Sequence, residues 1–449
     1  VTNKFIDRSN YKRVPASGLK LGMFVAELDR PWLETPFLLQ GFTIKTLSEI
    51  RKLREYCQYV YVDQGGQDWG AKKNPFNTGF QPPKRKLTEN DHGLNVRGNR
   101  ADNKKSVDSS VVRLDQPEHP IEKPAEEEHQ VATQAYRAAH STVSGLLDQA
   151  RLGNALDTSS AKLVVTDCVD SILRNPSALM WMAKIKHVDY YTMEHCLNVS
   201  ILSIAFGRHL RLKKEDLVRL GTGGLLHDVG KMQIPDEILN KPARLTDDEF
   251  RVMKEHPEIG RKLLMKSEGT LNYAVDAAFN HHERMDGNGY PRGLFARELS
   301  EYARIISIVD AFDAMTSDRC YDKSRSTLDA LKIIYRERGK HFDEEYALEF
   351  IQLMGPYPPG TIVELVNGAV GIVLSSEEKK RHLPKIKLVL DQEKRPQLEE
   401  IIDLLHVNVG SLDKGWLINR VLKDGDHGIR LEQYPVRRAL AGTETLEDL

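Results

Sequence analysis

Histidine and aspartate recur together in the middle of this chain in a pattern suited to metal chemistry. Seven of its fifteen histidines fall between His187 and His282. HDVGK (227–231) sets a histidine beside an aspartate and follows them with a lysine, and HHERMDGNGYP (281–291) sets two histidines before a glycine-rich turn. His195 lies on an apolar helical stretch, His256 stands at a helix end before Pro257, and Asp310 interrupts RIISIVDAFDAM (304–315). Imidazole and carboxylate together form the donor set for Zn, Mn, Fe or Ni, and a carboxylate between two ions can bridge them. Two ions about 3.5–4 Å apart can hold a nucleophilic and a phosphoryl oxygen together, and a bound ion brings the pKa of water from 15.7 towards about 7. A histidine or aspartate in an apolar helix otherwise carries a desolvation cost of several kcal/mol. Each residue alone has a plain reading: His195 as a satisfied core histidine, Asp310 as a turn cap or a partner of Arg304 or Arg319, His281 and His282 as a solvated helix end. The ordered set favours a metal centre over all of these.

The elements that must position these residues are helical. Apolar spacing of three and four dominates from about 126 to 353, with Val165, Cys168, Val169, Ile172 and Leu173 forming one stripe that Pro176 closes. Thr246-Asp247-Asp248-Glu249 is a capping box that opens a helix, and Ala303 to Met315 is an apolar helix interrupted by two aspartates. Residues 1–70 predict a small α/β unit: helical spacing at Leu47, Ile50, Leu53 and Cys57, then a strand at YVYVD (59–63). Residues 71–125, rich in Asn, Lys, Pro, Gly and Asp, cannot bury enough apolar surface to offset ordering entropy and predict a disordered linker. Its basic runs read as solvated charge. The catalytic unit spans 126–355, and 356–449 forms a short β appendage and tail, with a hairpin at Asn367-Gly368 and a strand at KIKLVL (385–390).

Bulk composition narrows the remaining choices. With 449 residues and a formal net charge of −1, the chain predicts two or three domains and no global attraction to nucleic acid or membrane. Four scattered cysteines (Cys57, Cys168, Cys196, Cys320) form no CxxC pair and fit a reducing compartment. No stretch approaches the roughly 18 apolar residues of a membrane span, and VTNKFIDRSNYKRV lacks the apolar core of a signal peptide. The expectation is a soluble cytoplasmic protein.

Residues 187–325 resemble the HD-GYP family, HD-domain phosphohydrolases that act on cyclic di-GMP. The matching segments are DYYTMEHCLNV (189–199), LLHDVGKMQIPDEILNKPARLT (225–246), HPEIG (256–260), HHERMDGNGYP (281–291) and IVDAFDAMTSDRCY (308–321). The resemblance implies a mainly α, HD-type metallohydrolase domain. It places His195, His227, Asp228 and Asp310 around one ion, with Asp228 bridging to a second ion held by His256, His281 and His282. Bridging hydroxide would attack phosphorus, Lys231 would contact phosphate and assist the leaving oxygen, and Arg319, Tyr321 and Lys323 would contact ligand. The implied product is pGpG, with GMP from some members. The implied cofactors are two divalent ions, Fe or Mn ahead of Ni.

Departures concern the edges of this set. Tyr191 stands where some members carry a glutamate for a third ion, which favours two ions, and Cys320 and Asp322 replace a more usual proline and basic residue. GTGG (221–224) is no phosphate loop, lacking the following Lys-Ser/Thr, and coincides with small residues packed in a helix of the family. GNGYP (287–291) reads either as a structural turn beside the metals or as a docking surface for signalling proteins, including diguanylate cyclases. Residues 17–42 and 57–63 resemble an uncharacterised domain that often precedes HD-GYP units, for which a sensory or homodimerising role is a hypothesis. Two competitors stand beside the enzyme reading: a non-catalytic cyclic-dinucleotide-binding or docking module, and a hydrolase for another nucleotide.

Overall fold

The computed structural model describes residues 11–29, 42–44, 47–63, 111–113, 116, 118–185, 191–267, 269, 271–317, 324–377, 380–408 and 410–434. The chain divides into an N-terminal unit and a second unit that begins its main run at Ser110.

In the N-terminal unit, β1 (Tyr11–Pro15), β2 (Phe24–Leu28), β3 (Phe42–Thr43) and β4 (Tyr59–Asp63) form an antiparallel sheet in the order β1-β4-β2-β3. Register runs from Tyr11 opposite Asp63 to Pro15 opposite Tyr59. The alternation expected for 59–63 appears as Val60 and Val62 buried. Helix α1 (Leu47–Tyr56) buries Ile50 and Leu53, but Leu47, part of the expected stripe, is exposed at its first position.

The second unit is helical to residue 354. Its long scaffold is α2 (Ala125–Arg151) against α3 (Thr158–Arg174). The buried Glu128 carboxylate accepts from Arg174 Nε and Nη2, each at 2.8 Å, and from Ser171 Oγ at 2.8 Å, which locks the two helices together. Pro176 does more than stop α3: it occupies the first position of α4 (Pro176–Met182), behind an Asn175 cap that accepts from Ser177 N. Next come α5 (Tyr191–His209) and α6 (Lys214–Leu226), two helices apolar on nearly every side and therefore central. After α7 (Asp236–Leu239), α8 (Asp247–Met253) opens with the expected capping box: Thr246 Oγ1 accepts from Glu249 N, and Glu249 Oε2 accepts from Thr246 N. The domain closes with α9 (His256–Lys266), α10 (Asn272–Asn280), α11 (Glu301–Thr316), α12 (Thr327–Glu337) and α13 (Glu344–Met354).

One expected boundary moves, and one element is larger than expected. Described residues between 111 and 124, assigned by composition to the linker, are bonded to the helical unit: Arg113 N donates to Leu210 O, Glu122 N to Arg174 O, and Arg208 Nη2 to His119 O. Backbone and arginine hydrogen bonds add here to the packing of Val111 and Val112 on the helical core, so composition underestimates the order. Residues 71–110 lie outside the described residues. The β appendage is larger than the three strands read from sequence. β5 (Ile362–Leu365), β6 (Val370–Ser375), β7 (Lys385–Leu390), β8 (Pro396–Asp403) and β9 (Ile418–Val421) form an antiparallel sheet in the order β8-β7-β6-β5-β9. The Asn367-Gly368 hairpin forms, with Gly368 at φ +93°. Trp181 of α4 packs with Ile362, Val370 and Ile372 on one side of this sheet, so the sheet belongs to the same compact unit as the helices.

Candidate metal centre

His195 sits in the first half of α5 and Asp310 in the second half of α11, while His227 and Asp228 follow the last turn of α6. His256 is the first residue of α9, with Pro257 as its second, so the helix end expected there is a helix start. His281 and His282 follow α10 directly. Glycines bring these segments together. A Cβ on Gly230 would lie 2.0 Å from His256 O and 2.5 Å from Gly260 N, so the turn after Asp228 presses its backbone onto α9. A Cβ on Gly224 would lie 3.1 Å from Ser200 Cα, and this close crossing of α6 on α5 sets the His227 ring 5.2 Å from that of His195. GTGG is thus a helix-packing surface.

The two oxygens of Asp228 face two groups of histidines. Oδ2 lies 3.4 Å from His195 Nε2 and 3.3 Å from His227 Nε2; Oδ1 lies 3.3 Å from His256 Nε2 and 3.5 Å from His281 Nε2. Asp310 Oδ1 is 3.1 Å from His195 Nε2 and 3.9 Å from His227 Nε2, and its Oδ2 is 3.9 Å from His282 Nδ1. Ligand atoms therefore gather as His195, His227 and Asp310 in one cluster and as Asp228, His256, His281 and His282 in another, each within 4.8 Å.

Hydrogen bonds on the far side fix the rings of His195, His227, His256 and His281. Nδ1 of His227 donates to Gly224 O at 2.7 Å, Nδ1 of His256 to Met253 O at 2.7 Å, and Nδ1 of His281 to Ala277 O at 3.0 Å. His195 Nδ1 donates to Asp313 Oδ2 at 2.8 Å. A carbonyl or carboxylate only accepts, so in each neutral ring the Nε2 lone pair points into the cluster, the arrangement of a metal-ligating histidine. Burial pushes His227 below its ordinary pKa and His256 down to about 4, which keeps both neutral. Burial pushes the Asp228 carboxyl up, but its polar surroundings, with the bonded Lys231 ammonium among them, outweigh this and hold it well below the carboxylate range. His227 Nε2 and Asp228 Oδ1 are fully buried and have no hydrogen-bond partner among the described residues. Such orphaned acceptors are costly unless a cation meets them, so the donor set fits divalent metal.

The cluster opens on one side. Side chains of His195, His227, Asp228, His256 and His281 are at most 2% exposed, whereas Asp310 reaches 11%, Lys231 19% and His282 24%. Lys231, bonded to Asp228 through Nζ, thus stands at the mouth.

Two contributors escape sequence reasoning. Asp313, one helical turn after Asp310, orients His195 and also accepts from Ser317 Oγ at 3.2 Å. The second aspartate of DAFDAM was the signal, read only as an interruption. Glu283 is buried and accepts from Arg292 N at 2.7 Å and Leu294 N at 2.9 Å, which ties the glycine-rich loop to the histidine pair. A Cβ on Gly289 would lie 2.4 Å from Glu283 Cα, and the Tyr290 ring stacks on His282 at 4.7 Å. These contacts support the structural side of the GNGYP reading. Arg319, Cys320, Tyr321, Asp322 and Lys323 lie outside the described residues, as does the Tyr191 side chain.

A cyclic di-GMP phosphodiesterase of Pseudomonas aeruginosa is 34% identical over 396 residues, which cover 88% of this chain and 89% of that protein. The chain belongs to the HD-GYP family. Within it, a family model described as HD domain matches residues 175–346, and one described as domain of unknown function (DUF3391) matches 11–161. The HD-GYP segment is also similar to the cyclic di-GMP phosphodiesterase response regulator RpfG of Xanthomonas campestris, 42% identical over 30% of this chain and 36% of that protein. A 3'3'-cGAMP-specific phosphodiesterase of Vibrio cholerae is 36% identical over 36% of this chain and 37% of that protein. Among the described residues of this HD-GYP chain, no helix is long and apolar enough to cross a membrane.

Proposed function

We propose that this HD-GYP protein is a metal-dependent phosphodiesterase that opens cyclic di-GMP to pGpG. The observation that carries the reading is Asp228, whose two oxygens face separate histidine groups in a chain related along most of its length to a cyclic di-GMP phosphodiesterase. His195, His227, Asp310 and Asp228 would hold one divalent ion, and Asp228, His256, His281 and His282 a second. Nitrogen and oxygen donors in this number suit Fe or Mn better than tetrahedral zinc. Bound ions would supply activated water at neutral pH and neutralise charge on the phosphoryl oxygens. The chain's own part is orientation and proton placement. Asp313 and the carbonyls of Gly224, Met253 and Ala277 fix the rings. Lys231 Nζ, at the mouth and bonded to Asp228, would donate to a phosphate oxygen and then protonate the leaving alkoxide.

A retired binding module would be free to lose ligands, and here the donor atoms still converge, which supports the enzyme over the docking reading. The test is hydrolysis of cyclic di-GMP by protein loaded with Mn or, without oxygen, with ferrous iron, beside His227→Ala, with 3'3'-cGAMP as the competing substrate and pGpG and GMP resolved as products. Full metal occupancy with no turnover of either dinucleotide would return the site to a binding role. Docking of diguanylate cyclases on residues 287–291 and homodimerisation through residues 1–70 are separate proposals, tested by co-purification and by sedimentation.

A further inference from the structure

The mouth of the metal centre has an aromatic wall that continues outward from His282. Tyr290 stacks on His282 at 4.7 Å, and Phe250, at the middle of α8, meets Tyr290 edge-on at 6.5 Å. Phe250 is 43% exposed although it is a large apolar ring. Lys254, which follows α8, holds its ammonium over both rings, 4.6 Å from the centre of Phe250 and 5.5 Å from that of Tyr290. Cation–π attraction fixes the position of such a side chain without neutralising its charge. Among the described residues no carboxylate lies within ion-pair distance of Lys254, whereas the nearby Lys241, Arg251, Arg261 and Lys262 all have one. The charge at the rim is therefore positioned, and available to an anion.

Lys254 also belongs to the same turn as a metal ligand, since His256 Nδ1 donates to Met253 O. The ammonium is thus held in fixed relation to the cluster, about one aromatic ring beyond its exposed edge at His282. A cyclic dinucleotide carries two phosphodiesters on opposite sides of its ring. When one lies over the metal cluster beside Lys231, the other is carried outward along a wall of the mouth and needs a cation of its own.

Resting on the phosphodiesterase reading above, we propose that Lys254, seated on Phe250 and Tyr290, binds the phosphodiester of the cyclic dinucleotide that is not being cleaved. It is a specificity determinant for two-phosphate substrates, and it takes no part in bond breaking.

The experiment compares wild type, Lys254→Met and Lys254→Arg, all metal-loaded, on cyclic di-GMP and on bis(p-nitrophenyl) phosphate, a diester with one phosphate. Methionine keeps the apolar stem on the rings and removes the charge. We expect Lys254→Met to raise KM for cyclic di-GMP about tenfold, the loss of one charge-assisted hydrogen bond, with a much smaller change in kcat. The ratio of kcat/KM for cyclic di-GMP to that for the one-phosphate diester should fall by a similar factor, and Lys254→Arg should recover most of it. Equal losses on both substrates, or a reduced metal content, would mean that Lys254 acts through His256 and would overturn the proposal. So would an unchanged KM in Lys254→Met. Failure of the phosphodiesterase reading is separate: it would appear as wild type that is inert towards cyclic di-GMP.

Discussion

Asp228 carries two demands that a carboxylate facing two divalent ions would meet together. It is fully buried, it stays ionised, and each oxygen lies 3.3–3.5 Å from two imidazole nitrogens. Asp228→Ala should therefore lower turnover by more than about 10³-fold, since even one preorganised donor is worth 10²–10³, and it should lower bound metal in elemental analysis. Retained metal with near-normal turnover would take Asp228 out of the bridging position. Asp313 makes a subtler case, because it reaches the candidate metal centre through the far nitrogen of His195. For Asp313→Asn we expect metal affinity or activity to drop about 10–100-fold, as for other partners of ligating histidines. Metal titration checks this, and wild-type affinity in the variant would assign Asp313 to packing alone.

Helices deliver these residues, and glycine decides how closely the helices meet. Gly230 and Gly145 give opposite predictions for the same substitution. Gly230→Ala drives a Cβ into His256 O and Gly260 N, both backbone atoms, so α9 must shift and take a ligand with it. It should lower both the melting temperature and the metal content. Gly145 lies exposed inside α2 with nothing within 4 Å of its added Cβ, so Gly145→Ala should stabilise by about 0.5–1 kcal/mol in urea titration. A destabilised Gly145→Ala would show that α2 is constrained there in a way its surroundings do not reveal. The same contrast explains what could be read from the chain alone. His195 and Asp310 stand out because a polar group on an apolar helix demands a reason, whereas His227, Asp228, His256, His281 and His282 stand out through their company in short motifs and the resemblance those motifs carry. Asp313 and Glu283 do not stand out, since an orienting carboxylate is defined by what folds against it. The five-stranded sheet was only partly legible, because β8 and β9 are charged strands held by register with their neighbours.

The candidate metal centre draws its donor atoms from five segments of the second unit, spread from His195 to Asp310 in sequence. Without cations, that arrangement confines two carboxylates and five imidazoles with buried lone pairs turned on one another, a state that burial penalises. Bound ions would reverse the sign of that interaction and join α5, α9 and α11 through one point. Metal removal should thus act as a stability change across the second unit as well as a loss of chemistry. A ligand that binds only the folded state stabilises it by RT ln(1 + [L]/Kd), about 2.7 kcal/mol when its free concentration is a hundredfold above Kd. We expect the chelated protein to melt several degrees lower than the metal-loaded one. Titrating Mn back should raise the melting temperature progressively with free metal, and His227→Ala should flatten that response because one cluster has lost a ligand. Chelated and loaded protein melting together, with metal shown to be absent from the first, would mean that the helical packing alone holds the seven side chains in place. The glycine contacts of Gly224 and Gly230, with the hydrogen bonds behind the rings, would then suffice for their preorganisation.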